Sequence, residues 1–322
     1  MSFRGLAATT LKTAAVVTGV GAACVAYAAG VEVRWFALRR VTVPVLPVGA
    51  TPIKVLHLSD LHLMPNQQKK IRWVSELAGL EPDLVVNTGD NLAHPDSVQP
   101  LLRAHGELLD LPGVFVFGSN DYWKPHFKNP GKYLLPANKQ RHKPHGPDLP
   151  FEELRAAFTR AGWADLNNAR STLKVNGQRL DFAGTDDPHI KRDRYDEIAG
   201  EVDPAADLSI GVTHAPYQRV LNGFVGDGYP LVLAGHTHGG QLAVPFYGAL
   251  VTNCDLDTSR VKGLTTWGYD GRQAALHVSA GLGTSPYAPV RFACRPEATL
   301  LTLVPRATPP AAQSANPISS QR

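Results

Sequence analysis

Cysteine is scarce, with three in 322 residues, at Cys24, Cys254 and Cys294. None stands in C-x-x-C spacing, which removes thiolate zinc sites and dithiol redox chemistry. Cys254 and Cys294 leave two readings, a disulfide in an oxidising compartment or two buried thiols. The chain has no G-x-S-x-G elbow and no Cys–His arrangement, so covalent hydrolase chemistry lacks a nucleophile. It also has no G-x-x-x-x-G-K-[ST] loop, which excludes a nucleotide-driven motor. Charged residues make up only 19% and sum to +4, so the chain as a whole is no polycation.

What is present is a series of apolar runs that end in the same way. "IKVLHLSDLHL" finishes at Asp60 and His62, "PDLVVNTGD" at Gly89 and Asp90, and "GVFVFGSND" at Gly118, Ser119, Asn120 and Asp121. "LSIGVTHAP" finishes at His214, and "LVLAGHTHGG" at His236 and His238. Short β-branched runs of this kind are strands buried on both faces. Open α/β sheets bind ligands beyond the carboxyl ends of their strands, so these residues share one rim. Carboxylate, amide and imidazole donors in this number suit two divalent cations rather than one, with Asp90 as the bridge. The glycine-rich "SAGLGTSPY" (279–287) reads either as a phosphate cradle or as a strand-exit turn packed near that rim.

The order D-x-H, G-D, lone His, G-H-x-H resembles the calcineurin-like metallophosphoesterase superfamily. The matches are Asp60 and His62, Gly89 and Asp90, His214, then Gly235, His236 and His238. Together with the N-terminal apolar segment they look most like its bacterial membrane-associated, phosphodiesterase-like branch, similar to lipid-A-pathway pyrophosphatases. The resemblance implies a phosphoesterase using two divalent ions (Mn, Fe, Zn or Ni) to activate water. Asp60, His62 and His238 would hold one ion, Asn120, His214 and His236 the other, and Asp90 both. One block departs. The family's G-N-H-D is Gly118-Ser119-Asn120-Asp121 here, which puts Ser119 at the ligand position without a gap, or Asn120 after a slip of one residue. The slip is preferred because an amide oxygen is the better donor, and Asn120 and Asp121 then join Asp90 as catalytic residues. The family's proton-donating histidine has no counterpart. His94 and His126 are the nearby alternatives.

The resemblance, with strands alternating with helices early and crowding late, predicts an α/β protein with two packed mixed sheets flanked by helices, in four layers α/β/β/α. Helices are expected in "QQKKIRWVSELAGL", "DSVQPLLRAHGELLDL" and "PFEELRAAFTRAG". "LDFAG", "LVLAG", "ALHVSAG" and "ATLLTLV" are expected to form the second sheet. Domain limits follow from composition: an anchor and linker over 1–48, a catalytic domain over 49–304 and a polar tail over 305–322.

From Thr13 to Val31 nineteen residues carry no charge, about 28 Å as a helix and close to a bilayer core. A single-pass anchor is the preferred reading, and a signal peptide cleaved near Ala26-Tyr27-Ala28 is the alternative. Arg4 and Lys12 precede the run and Arg34, Arg39 and Arg40 follow it, so the side of the membrane is open. The interval 122–150 holds Lys124, Lys128, Lys132, Lys139, Arg141 and Lys143 against Asp148 alone. It reads as a solvated loop or as a basic lid. In the second reading Lys139, Arg141 and Lys143 would bind an anionic phosphorylated small molecule or a lipid-linked substrate. Aromatics interleave there too sparsely for nucleic acid.

Overall fold

The computed structural model describes residues 3–127 and 148–307. Lys139, Arg141 and Lys143 lie outside the described residues, as does the tail from 308. The strands are β1 (Ala37–Leu46), β2 (Ile53–Leu58), β3 (Leu84–Asn87), β4 (Gly113–Phe115), β5 (Ala164–Asp165), β6 (Ala169–Val175) and β7 (Gln178–Gly184). They continue as β8 (Leu208–Val212), β9 (Leu231–Ala234), β10 (Ala243–Val244), β11 (Gly248–Ala249), β12 (Gly263–Tyr269), β13 (Arg272–Val278) and β14 (Glu297–Pro305). The α-helices are α1 (Phe3–Gly30), α2 (Gln68–Ser75), α3 (Val98–His105), α4 (Ser119–Tyr122), α5 (Phe151–Arg160) and α6 (Gln218–Gly226).

Two six-stranded mixed sheets form, in the orders β1-β14-β2-β3-β4-β5 and β12-β13-β9-β8-β7-β6. Their facing sides share one core, in which Val55, Val86 and Val114 of the first sheet meet Phe182, Ile210 and Leu233 of the second. Period-two alternation would expose one face of each strand, but β2, β3, β8 and β9 are buried almost throughout. Their outer sides are covered by helices. Ile71 and Val74 of α2, Leu101 of α3 and Leu154 and Phe158 of α5 pack over the first sheet. Val220, Leu221 and Phe224 of α6 cover the second. The four-layer α/β/β/α architecture is therefore as expected.

Two assignments change. "ATLLTLV" (β14) belongs to the first sheet, antiparallel to β2 with Leu301 opposite Val55. It is also parallel to β1, with Arg39 opposite Thr299. Residues 37–46, expected within the linker, are that edge strand. Pairing partners so distant in sequence leave no local signal. Cys254 and Cys294 are both free thiols.

Strands β2, β3 and β4 run parallel, as do β7, β8 and β9. Their carboxyl ends meet where the two sheets abut, and that seam gathers the polar residues.

Candidate metal centre

Three loops leave the first sheet toward the seam. After β2 the chain reaches Asp60 and His62, after β3 Asp90, and after β4 the Gly118 turn. The first two are laced together, with Asp60 N–H on Gly89 O (2.8 Å) and His62 N–H on Asp90 O (2.9 Å). Gly89 has φ +88°, and a Cβ there would run into the Phe117–Gly118 backbone. Asp121 secures the third loop. Its Oδ2 accepts the N–H groups of Asp90 (2.8 Å) and Gly118 (2.9 Å), and its Oδ1 that of Asn91 (2.9 Å).

The second sheet contributes His214 after β8, and His236 and His238 after β9. Asp60, His62, Asp90, His236 and His238 all take positive φ, between 39° and 69°. Non-glycine residues held there cost about 1–3 kcal/mol each and persist where function or packing requires them. Five in one constellation mark this seam.

Asp60, His62, Asp90 and His238 offer ligand atoms within 4.8 Å of one another and can hold a metal ion. His62 Nε2 lies 3.3 Å from Asp90 Oδ2. His238 Nε2 lies 3.6 Å from Asp60 Oδ1. That Oδ1 is buried without a hydrogen bond, although Asp60 Oδ2 accepts from Ser59 Oγ (2.5 Å) and His236 N–H (3.0 Å). Beyond Asp90 a second group begins. His214 Nε2 is 3.6 Å from Asp90 Oδ1 and 3.2 Å from His236 Nδ1. The first group and the second share Asp90.

The imidazole tautomers carry the chemistry. Nδ1 of His214 meets Thr88 O at 2.6 Å, Nδ1 of His238 meets Gly283 O at 3.1 Å, and Nε2 of His236 meets Asn253 O at 3.2 Å. A carbonyl only accepts, so Nδ1 of His214 carries the hydrogen and its Nε2 turns inward, whereas Nδ1 of His238 also meets the Arg291 Nη2 donor (3.3 Å) and Nε2 of His236 the Asn253 Nδ2 donor (3.3 Å). Ring nitrogens face one another across the seam, His62 Nε2 with His238 Nε2 at 3.2 Å and His214 Nε2 with His236 Nδ1 at 3.2 Å. Opposed lone pairs repel unless a proton or a cation lies between them. The donor set therefore fits divalent cations.

Electrostatics agree. Burial, with Asp60 and Asp187 as like charges, raises the Asp90 carboxyl above its ordinary range, against the opposing pull of His214. Burial works to lower His214, yet Asp90, Asp187 and Asp60 drive it above its ordinary value. Burial, joined by the neighbouring rings of His189 and His214, holds His236 well below the imidazole range. His238 falls to about 3, chiefly by burial. A bound divalent cation would offset this crowd of carboxylates and keep the imidazoles neutral.

Asn120 gives its backbone N–H to Asp90 Oδ1 (2.6 Å), and its side-chain Nδ2 donates to Trp123 O (3.2 Å). Asp121 is fully buried with both oxygens engaged by the backbone. His94 is a loop residue paired with Asp96, and His126 is exposed. The 279–287 glycines form a turn against the metal loop: Gly281 abuts Asp60 and Gly283 abuts Leu61.

Three residues were not read from the sequence. Asp187, two residues beyond "AGT" at the end of β7, is buried with Oδ2 lacking a hydrogen bond. Its carboxyl is raised to about 6 by burial, with His214 and the backbone N–H groups of His189 and Ser119 opposing. His189 stacks on His236 with ring centroids 4.5 Å apart and meets Tyr217 OH at 3.1 Å. Arg291 is fully buried and donates from Nη2 to Ala280 O (2.7 Å) and Gly283 O (2.7 Å), so it fixes the carbonyl that orients His238. The signal for Asp187 was available, because β7 ends in carboxylates as β2 and β3 do.

A seam of strand-end aspartates and histidines between two packed sheets defines a metal-dependent phosphoesterase. A model of calcineurin-like phosphoesterases matches residues 53–240, and the chain belongs to that family. It is 27% identical over 274 residues to the uncharacterized metallophosphoesterase YkuE of Bacillus subtilis (strain 168), covering 80% of this chain and 81% of that protein. It is 26% identical over 291 residues to phosphodiesterase YaeI of Escherichia coli (strain K12), covering 85% and 90%. A Bos taurus transmembrane protein with a metallophosphoesterase domain is 28% identical over 223 residues, covering 64% of this chain and 45% of that protein. The chain is accordingly a hydrolase of phosphoric esters.

Proposed function

We propose that the chain hydrolyses a phosphodiester or pyrophosphate bond at a two-cation centre. The facing ring nitrogens support this reading, because two such pairs flank Asp90, 3.2 Å apart in each case. Asp60, His62 and His238 would hold the first ion and His214 and His236 the second, with Asp90 close enough to both groups to serve each. Asp187, whose buried Oδ2 has no hydrogen bond, would give the second ion the oxygen donor expected from Asn120. Ions so held supply Lewis acidity and a water of lowered pKa. The protein's part is positioning: Asp121 locks the Gly118 turn, and Gly283 and Thr88 carbonyls aim the rings. Lys139, Arg141 and Lys143 attract the anionic substrate from the basic segment. The Gly118–Asp121 turn has no histidine, and His189, whose ring centroid lies 4.5 Å from that of His236, is the candidate proton donor to the leaving group. The chain resides in the membrane through the span Ala15–Arg34, most of it the second half of α1, which is long and apolar enough to cross.

A second reading, a metal-holding binding protein of little activity, is favoured by that same missing histidine. Hydrolysis of bis(p-nitrophenyl) phosphate by full-length protein decides between them. Turnover that requires Mn²⁺ and disappears in Asp90→Asn is expected. Metal binding without turnover would leave the binding-protein reading standing.

A further inference from the structure

The segment from Gln241 to Cys254 carries no charge in "QLAVPFYGALVTNC", and it forms the β10–β11 hairpin. Its tip turns outward. Phe246 is fully exposed, Tyr247 is 78% exposed and Leu250 58%. Phe246 also has φ +68°, an uncommon conformation for a bulky side chain. A soluble surface gains nothing from aromatic groups displayed in this way, and contiguous exposed apolar residues mark interaction sites.

Two observations say what covers it. The first is where the hairpin sits. Leu242 bridges to Phe292, and Phe292 packs edge-on against Tyr27 of α1 with centroids 6.2 Å apart. Arg291 N–H binds Ala28 O (3.2 Å), and Glu32 accepts the N–H groups of Ala293 (3.1 Å) and Cys294 (2.6 Å). The foot of the apolar helix is thus bolted to the loop beside the hairpin. Trp35, half exposed at that foot, lies under the Arg295 guanidinium at 4.2 Å, the aromatic and basic pairing of a membrane–water interface. The second is what the hairpin joins. It leaves directly after His238 and Gly240 and returns at Asn253, whose carbonyl binds His236. His238 is also the most exposed of the four first-group residues, with 15% of its side chain accessible.

We infer that the β10–β11 hairpin is a second, interfacial membrane contact that holds the metal centre against the lipid bilayer, where an amphiphilic phosphoester is presented to it. This rests on the phosphoesterase reading above and on α1 as a membrane span. The hairpin enters the headgroup region by Phe246, Tyr247 and Leu250. His238, the most exposed residue of the first group, directly precedes the hairpin, so the scissile phosphate of a lipid-linked substrate would approach the metal residues past it without leaving the bilayer surface.

The test uses the full chain in phosphatidylcholine vesicles. Phe246→Trp adds, over the emission of the five native tryptophans, an increment that brominated acyl chains quench and aqueous iodide does not, and only that increment over wild type is read. Phe246→Asp/Tyr247→Asp lowers Mn²⁺-dependent hydrolysis of a vesicle-embedded lipid phosphodiester by about tenfold and leaves bis(p-nitrophenyl) phosphate turnover unchanged. Iodide quenching without bromine quenching would overturn the inference. So would an equal loss on both substrates, which would mean that the hairpin merely shapes the site. Burial of the introduced indole by a second copy, seen as concentration-dependent protection in detergent, would overturn it in favour of self-association. If wild type hydrolyses neither substrate, the phosphoesterase reading fails, while the bromine measurement still decides the membrane contact.

Discussion

Alanine at Gly118 perturbs the centre without removing a single donor atom. The backbone there is extended, so alanine meets no conformational penalty. Its methyl would nevertheless lie 2.6 Å from His214 Nε2 and inside contact distance of Asp90 Oδ1. Both groups must retreat by about an ångström to reach ordinary van der Waals separation. Ligand atoms tolerate only about ±0.2 Å, so an ångström removes Asp90 from the shared position. Overpacking of this kind costs about 1–3 kcal/mol, a fall in Tm of about 2–12 °C for a domain of this size. Calorimetry and titration with Mn²⁺ measure both quantities. The expected result is a lowered Tm and loss of the weaker of two binding events. Gly268→Ala is the control, because the nearest atom to its new methyl is 3.7 Å away. Wild-type Tm and stoichiometry in Gly118→Ala would refute the shared role of Asp90.

Asp187→Asn should weaken the second ion by about 10–100-fold and leave the first unchanged, read by isothermal titration; equal loss of both would make Asp187 merely structural. Arg291→Lys removes the planar fork that fixes Gly283 O, and affinity for the first ion should fall by about tenfold or more; unchanged affinity would show that Gly283 holds its place without it. His105, packed against Phe158 and Trp163, is lowered to about 4 by burial, partly opposed by the Leu101 carbonyl. Its folded value lies below the unfolded one, so its contribution is complete above about pH 6.5 and drains away as pH falls toward 4, by about 2 kcal/mol at pH 5. Urea unfolding at pH 7.5 and 5 should show that difference shrink in His105→Gln; an identical difference in both proteins would contradict it.

The strand ends were legible because buried strands read as apolar runs and stop at polar residues. Asp60, His62, Asp90, His214, His236 and His238 all follow that rule, and the structure brings them to one seam. Asp187 obeys it too, three residues beyond the glycine that closes "LDFAG". The edge strand β1 was hidden by Arg39 and Arg40, which serve an exposed edge and look like a polar linker. The place of β14 rests on pairing with residues some 250 positions away, and no local pattern encodes that. Left-handed backbone at Asp60, His62 and Asp90 is likewise invisible in residue identity, since none is glycine. Asp121 shows the limit of reading roles from type: its carboxylate is spent on three backbone N–H groups.

The two-cation centre is tested most directly by anomalous diffraction from crystals of the full chain grown with Mn²⁺. Two peaks are expected about 3.5–4 Å apart, one within reach of Asp60, His62 and His238, the other of His214, His236 and Asp187, with Asp90 between them. A single peak at saturating Mn²⁺, or a second peak away from His214 and His236, would contradict it.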